Sequence, residues 1–216
     1  MPYYRQINEC VKERLGGLHS ARLVLYSVDF HDIERLQHAG DWAAAGAVLA
    51  DAARALERAG AQGLVLCTNT MHKVAPAIEV AVRIPLLHIA DPTAQEIRAA
   101  GFSRVGLLGT RFTMEQAFYK DRLRHQHGLQ VLTPEVGDRE CVHRIIYEEL
   151  CLGQVLDSSR DAYRRVMAQL VAQGAQAIIL GCTEISLLVG PADLAVPLFD
   201  TTALHARHAA EWMLGD

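Results

Sequence analysis

Gly60-Ala61-Gln62-Gly63-Leu64-Val65-Leu66-Cys67-Thr68-Asn69-Thr70 lies over Gly174-Ala175-Gln176-Ala177-Ile178-Ile179-Leu180-Gly181-Cys182-Thr183-Glu184 without a gap, every pair at the same offset of 114 positions. Each copy opens on a glycine that stops a helical pattern, continues as an apolar run of strand length and ends in small polar residues. Further on, Ile84-Pro85-Leu86 resembles Val196-Pro197-Leu198 at an offset of 112. One supersecondary unit used twice within 216 residues describes two similar halves. The repeat also sets Thr68 against Cys182.

Outward from the repeat, helical and extended patterns alternate. Tyr4, Ile7, Val11 and Leu15 recur at helical spacing before Gly16-Gly17 ends them, and an apolar run at 21–28 has strand length. A helix at 41–59 precedes the repeat strand at 63–67, and a short strand follows at 86–89. Helix 93–100, strand 104–108, helix 114–127 and strand 129–133 come next. Helices at 138–151 and 159–173, strands at 177–181 and 196–199 and a helix at 202–214 close the chain. Alternation of this kind implies parallel sheets covered by helices on both faces. The expected fold is α/β, with two pseudo-symmetric Rossmann-like domains, each a parallel four-stranded sheet flanked by helices. The first lobe is expected to take 1–91 and 194–216, the second 92–193. The second half carries Val105-Gly106-Leu107-Leu108-Gly109-Thr110 before Phe118-Tyr119, whereas the apparent counterpart Tyr3-Tyr4 has nothing comparable before it. By that comparison the first strand of the first domain is missing from this chain.

Composition narrows the function classes. The 21 basic residues, only three of them lysines (Lys12, Lys73 and Lys120), are scattered among 25 acidic ones for a net charge of −4, so no basic stripe points to nucleic acid or an anionic membrane. The longest apolar runs, 63–67 and 175–182, fall short of the ~20 residues that span a bilayer. The first residues lack the pattern of a secretion signal, and five cysteines without paired spacing fit a reducing cytoplasm, the expected location.

Parallel sheets bind ligands beyond the carboxyl ends of their strands, where both polar segments of the repeat fall. Strand followed by polar loop is common in any α/β protein, but here the repeat extends into the small polar residues. A hydroxyl and a thiol facing each other across a cleft suit removal and return of a proton at one carbon from opposite faces. Thr70, Asn69, Thr183 and the backbone N–H groups after each strand are candidates for holding a substrate carboxylate while charge develops. A thiol becomes a usable base where a helix N-terminus or a polar neighbour lowers its pKa.

Cys67-Thr68-Asn69-Thr70-Met71-His72, Gly181-Cys182-Thr183-Glu184 and Tyr26-Ser27-Val28-Asp29-Phe30-His31 resemble the aspartate/glutamate racemase family, and within it the bacterial L-aspartate/glutamate-specific or broad-specificity amino-acid racemases. The resemblance covers nearly the whole chain. It implies a two-domain α/β fold, an active site in the interdomain cleft, a small amino-acid substrate, no pyridoxal phosphate or metal, and a homodimer. It makes Thr68 and Cys182 the catalytic pair and Gln37, Asn69, Thr70, Thr113 and Thr183 substrate-binding residues, with Thr110 an alternative to Thr113. Most of the family has cysteine at both catalytic positions. Here Cys67 falls one residue early, and a one-residue shift at a strand end reverses the side chain. Threonine opposite cysteine implies unequal handling of the two enantiomers. Glu184 either orients Cys182 or meets the substrate ammonium. A lysine that aspartate racemases carry near the position of Cys151 is absent, which disfavours strict aspartate specificity and admits a neutral substrate such as homoserine.

Other readings are weaker. Cys67 with His72, Cys141 with His143, and His205 with His208 lack the spacing of a zinc site. His205 and His208 are expected to face solvent, and His72 to line or cap the site. A Cys/His hydrolase, hydantoin racemase, maleate isomerase or decarboxylase chemistry, and a catalytically silent small-acid-binding homologue remain alternatives. Gly106-Leu107-Leu108-Gly109 is too short a glycine motif for nucleotide binding, and Lys73 is a poor candidate for a pyridoxal Schiff base.

Overall fold

The computed structural model describes residues 2–215. Its first half runs α1 (Pro2–Leu15), α2 (Phe30–Ala39), α3 (Trp42–Arg58), β1 (Leu64–Val65), a 3-10 turn (Thr70–Val74), α4 (Ala75–Ala81) and β2 (Leu86–Leu87). The second runs α5 (Ala90–Ala99), β3 (Arg104–Gly109), α6 (Arg111–Glu115), α7 (Ala117–His127), β4 (Gln130–Leu132), α8 (Val136–Glu148), a 3-10 turn (Leu150–Leu152) and α9 (Asp157–Ala172). It ends with β5 (Ala177–Gly181), α10 (Ile185–Leu188), β6 (Leu198–Asp200) and α11 (Thr201–Leu214).

The second sheet has the order β4-β3-β5-β6 with every pairing parallel. Its central strands are apolar on both faces because each face meets helices. Leu108, Ile178 and Leu180 point into a core with Val142, Ile145 and Ile146 of α8 and Tyr163, Val166 and Met167 of α9. The alternate residues Val105, Leu107, Ala177 and Ile179 join Ala94 and Ile97 of α5 and Tyr119 and Leu123 of α7. Gly109 and Gly181 pair where the two central strands end. A Cβ on Gly109 would stand 2.8 Å from the Gly181 carbonyl oxygen, and one on Gly181 would stand 2.8 Å from that of Leu108. Only glycine permits this approach, which brings the loops after β3 and β5 side by side.

The first lobe departs from the expected four strands. Among the described residues its sheet has two, β1 and β2, paired in parallel from Leu64–Leu86 to Val65–Leu87. The run at 21–28 is not a strand, and Leu23, Val24, Leu25 and Tyr26 are between 37% and 57% exposed. Ladder hydrogen bonds need a neighbour, and no described strand pairs with this segment. The pair β1–β2 is nonetheless covered on both sides. Leu64 packs with Ala45, Leu49, Met71, Val74 and Ile78 of α3, the 3-10 turn and α4, while Leu87 packs with Tyr3, Ile7 and Val11 of α1 and Ala206 and Ala209 of α11.

A second correction concerns the strand near 196–199, expected in the first lobe. Strand β6 pairs with β5 in the second sheet, and only the helix after it, α11, returns to pack on α1. The repeat carries this arrangement: β6 stands to β5 as β2 stands to β1. His205 corrects a third expectation. It is fully buried, with Nδ1 2.9 Å from the Tyr3 hydroxyl and Nε2 donating to the Leu87 carbonyl at 2.8 Å.

Candidate active site

Three loops meet at the carboxyl ends of β1, β3 and β5. After β3, Thr110 caps α6, its hydroxyl accepting from the Thr113 amide at 3.3 Å. From the first lobe Thr70 reaches the same place. Its Oγ1 lies 2.9 Å from Thr110 Oγ1 and 3.3 Å from Thr113 Oγ1, and all three residues are buried. Thr70 and Thr113, placed on substrate by the resemblance, therefore share one interlobe hydroxyl cluster with Thr110.

Asn69 ties the same loop to β5. Its Nδ2 donates to Thr201 Oγ1 at 3.0 Å, and Thr201 donates onward to the carbonyl of Leu180, two residues before Cys182. Because the Thr201 proton is used on Leu180, Thr201 can only accept from Asn69, which settles the amide orientation. The Asn69 Oδ1 is left buried, without a hydrogen-bond partner among the described residues. A buried acceptor without a donor is costly, and a ligand N–H would relieve it.

Cys182 is 8% exposed, and its thiol donates to Glu184 Oε2 at 3.0 Å. Thr183 donates to the same oxygen at 2.5 Å. Burial first, then the adjacent Glu184 carboxylate, push the thiol well above its ordinary pKa. The expectation of a thiol lowered by its surroundings is therefore reversed. Cys182 rests protonated, its thiol hydrogen directed at the Glu184 carboxylate.

Thr68 is half-buried, and its hydroxyl makes no hydrogen bond among the described residues. Its carbonyl accepts from His72 Nδ1 at 2.7 Å, while His72 Nε2 accepts from the Ile89 amide at 3.2 Å. These two bonds require a neutral ring protonated at Nδ1, and burial holds His72 well below the usual imidazole pKa. His72 thus anchors the Thr68 loop to the end of β2. Cys67 is an exposed residue whose thiol donates to the Val65 carbonyl at 3.6 Å.

Gln37 is buried and spans the lobes, donating to Met71 Sδ at 2.9 Å and accepting from the Tyr147 hydroxyl at 2.9 Å. Both ends of its amide are engaged, which makes it a strut beside the site. Tyr147 carried no sequence signal. It is the next-to-last residue of α8 and reaches the site only because α8 folds over the β3 loop. Its ring packs on His143 at 4.7 Å and beside Phe30 at 6.3 Å.

With this geometry in place, the comparisons define the class. The family model for Asp/Glu/hydantoin racemases matches residues 1–209, and the chain belongs to that family. It is similar to a candidate Asp/Glu racemase from Yersinia pestis, with 61% identity, a TM-score of 0.92 and coverage of 99% of this chain and 93% of that one. It is also similar to an aspartate racemase homologue from Pyrococcus horikoshii OT3, with 33% identity, a TM-score of 0.84 and coverage of 99% and 92%. The broad-specificity amino-acid racemase RacX of Bacillus subtilis is 24% identical over 165 residues, 73% of this chain and 67% of that protein.

Proposed function

We propose that this chain is a cofactor-independent amino-acid racemase, interconverting the L and D forms of aspartate, glutamate or a related small amino acid by two-base proton transfer at Cα. The observation that carries this reading is the Cys182 thiol hydrogen-bonded to Glu184 at the end of β5, on the repeat unit whose other copy has Thr68 at the matching position. Glu184 takes the thiol proton. The thiolate then removes the Cα proton from one face, an S–H bond replacing the C–H bond, and the electron pair spreads into the substrate carboxylate.

Thr70, Thr110, Thr113 and Thr183 supply hydroxyl donors for that carboxylate, and the unpartnered Asn69 Oδ1 accepts from the substrate ammonium. On the opposite face the free Thr68 hydroxyl delivers a proton to Cα, directly or through water, and is reprotonated from solvent, while Glu184 releases to solvent the proton it took from the thiol. A hydroxyl is a far weaker acid than a thiol, so the step at Thr68 is the slow one. The homodimer implied by the resemblance is carried as part of this proposal and is checked by light scattering on the eluted protein.

The test is exchange of the Cα proton in D2O, followed by NMR on a panel of L- and D-amino acids. Cys182→Ala should abolish exchange; unchanged exchange in that variant would overturn the mechanism.

A further inference from the structure

Thr201 is the first residue of α11 and follows β6 directly. Because β6 pairs with β5 so that Asp200 stands opposite Leu180, Thr201 comes to lie against the Leu180 carbonyl, to which its hydroxyl donates at 2.9 Å. The same hydroxyl oxygen accepts from Asn69 Nδ2 of the other lobe at 3.0 Å. One fully buried hydroxyl thus ties the loop that carries Thr68 to the strand that leads into Cys182.

The Asn69 side chain makes no other hydrogen bond among the described residues, so Thr201 alone sets the orientation of its amide. A threonine hydroxyl has one proton to give, and here that proton is on Leu180. Only the NH2 end of Asn69 can then face Thr201, which leaves Oδ1 turned away from it, buried and unpartnered. A half-turn of the amide would offer an N–H donor where the structure offers an acceptor. The first orientation meets a substrate ammonium group; the second refuses it, since two donors do not pair. A ligand without the ammonium group leaves Oδ1 buried and without a donor, which costs binding.

We infer that Thr201 is a positioning residue for substrate selection: by holding Asn69 with Oδ1 toward the ligand, it makes the site prefer α-amino acids over the corresponding acids that lack the amino group. The inference rests on the racemase reading for the place of the ammonium group and deepens it by naming the residue that sets this preference.

Calorimetry on the full chain compares L-glutamate with glutarate and L-aspartate with succinate, pairs that differ in the ammonium group. In the pair it binds better, the wild type should hold the amino acid about tenfold tighter than its partner acid, or more. Thr201→Val keeps the shape and removes both hydrogen bonds, so that ratio should shrink about tenfold, while Thr201→Ser keeps the hydroxyl and should restore it to within about threefold of wild type. A merely structural part for Thr201 would weaken both members of a pair alike and leave the ratio where it was. Where Thr201→Val fails to fold, the wild type decides: the 13C NMR signal of the Asn69 side-chain carbonyl should shift with the amino acid and not with its partner acid. Wild-type binding of the amino acid no tighter than its partner acid, an unchanged ratio in Thr201→Val, or no shift at the Asn69 carbonyl overturns the inference. Absence of Cα-proton exchange, with the ratio present and dependent on Thr201, counts against the racemase reading alone and sustains the role of Thr201.

Discussion

Thr70 of the first lobe and Thr110 of the second are hydrogen-bonded side chain to side chain, Oγ1 to Oγ1, at 2.9 Å, and Thr113 Oγ1 lies 3.3 Å from both. Three buried hydroxyls from two lobes hold donors and acceptors in one place without a charge. Such a cluster can offer its protons to an arriving carboxylate with little rearrangement, because each hydroxyl rotates.

Thr70→Val keeps the shape and removes the hydroxyl that joins the lobes. Loss of one buried hydrogen-bonding partner should lower stability by about 1–2 kcal/mol and raise KM at least tenfold. Urea unfolding and steady-state kinetics read the two effects; a variant with wild-type KM would remove Thr70 from carboxylate binding.

Glu184→Gln leaves a hydrogen-bonding group beside Cys182 but removes the charge that opposes its ionisation. The thiol pKa should therefore fall, read as faster alkylation of Cys182 at pH 8 by mass spectrometry, while racemisation slows by 100-fold or more for want of a proton acceptor. Slower alkylation in the variant would contradict the assigned electrostatics.

Thr68→Cys exchanges a hydroxyl for a group that is both a stronger acid and a better base. Turnover of the enantiomer that the wild type handles poorly should rise tenfold or more, narrowing the asymmetry between the two directions. Chiral chromatography of both directions measures it, and an unchanged ratio would remove Thr68 from the proton path.

His72, His88 and His205 form a buried group, with ring centroids 4.3 Å apart for His72–His88 and 6.1 Å for His72–His205. Burial lowers all three, His88 to about 3 and His205 to about 4, with His72 well below the ordinary value. Depressed folded-state pKa values mean that the unfolded chain binds protons first as pH falls below ~6.5. Their contribution is present above that pH and is lost on acidification toward the folded values. Between pH 7.5 and 5.5 the loss should be ~1.3 kcal/mol per histidine, or ~4 kcal/mol for the three. Urea unfolding at the two pH values tests this, and a flat response would show that these rings are protonated in the native state.

Much of the site was legible because a repeat is a local property of the chain. Glycine, apolar run and polar end recur in order, so Thr68, Asn69, Thr70, Cys182, Thr183 and Glu184 are found by alignment of the chain with itself. Tyr147 and Thr201 have no such mark. A residue on a helix face joins a site only through the packing of that helix, and its own neighbours in sequence look like those of any solvated or buried position.

The sequence by itself determined the strand-helix alternation, the parallel sheets and the position of both polar loops at strand ends, since these follow from hydrophobic period and from glycine at the helix stops. Only the tertiary structure decided which strands pair, that β6 belongs with β5, that 21–28 runs unpaired among the described residues, and that His205 is buried. It alone decided the protonation of Cys182 as well. A thiol's pKa depends on the carboxylate brought within 3.0 Å and on the water excluded around it, and neither is encoded by spacing along the chain.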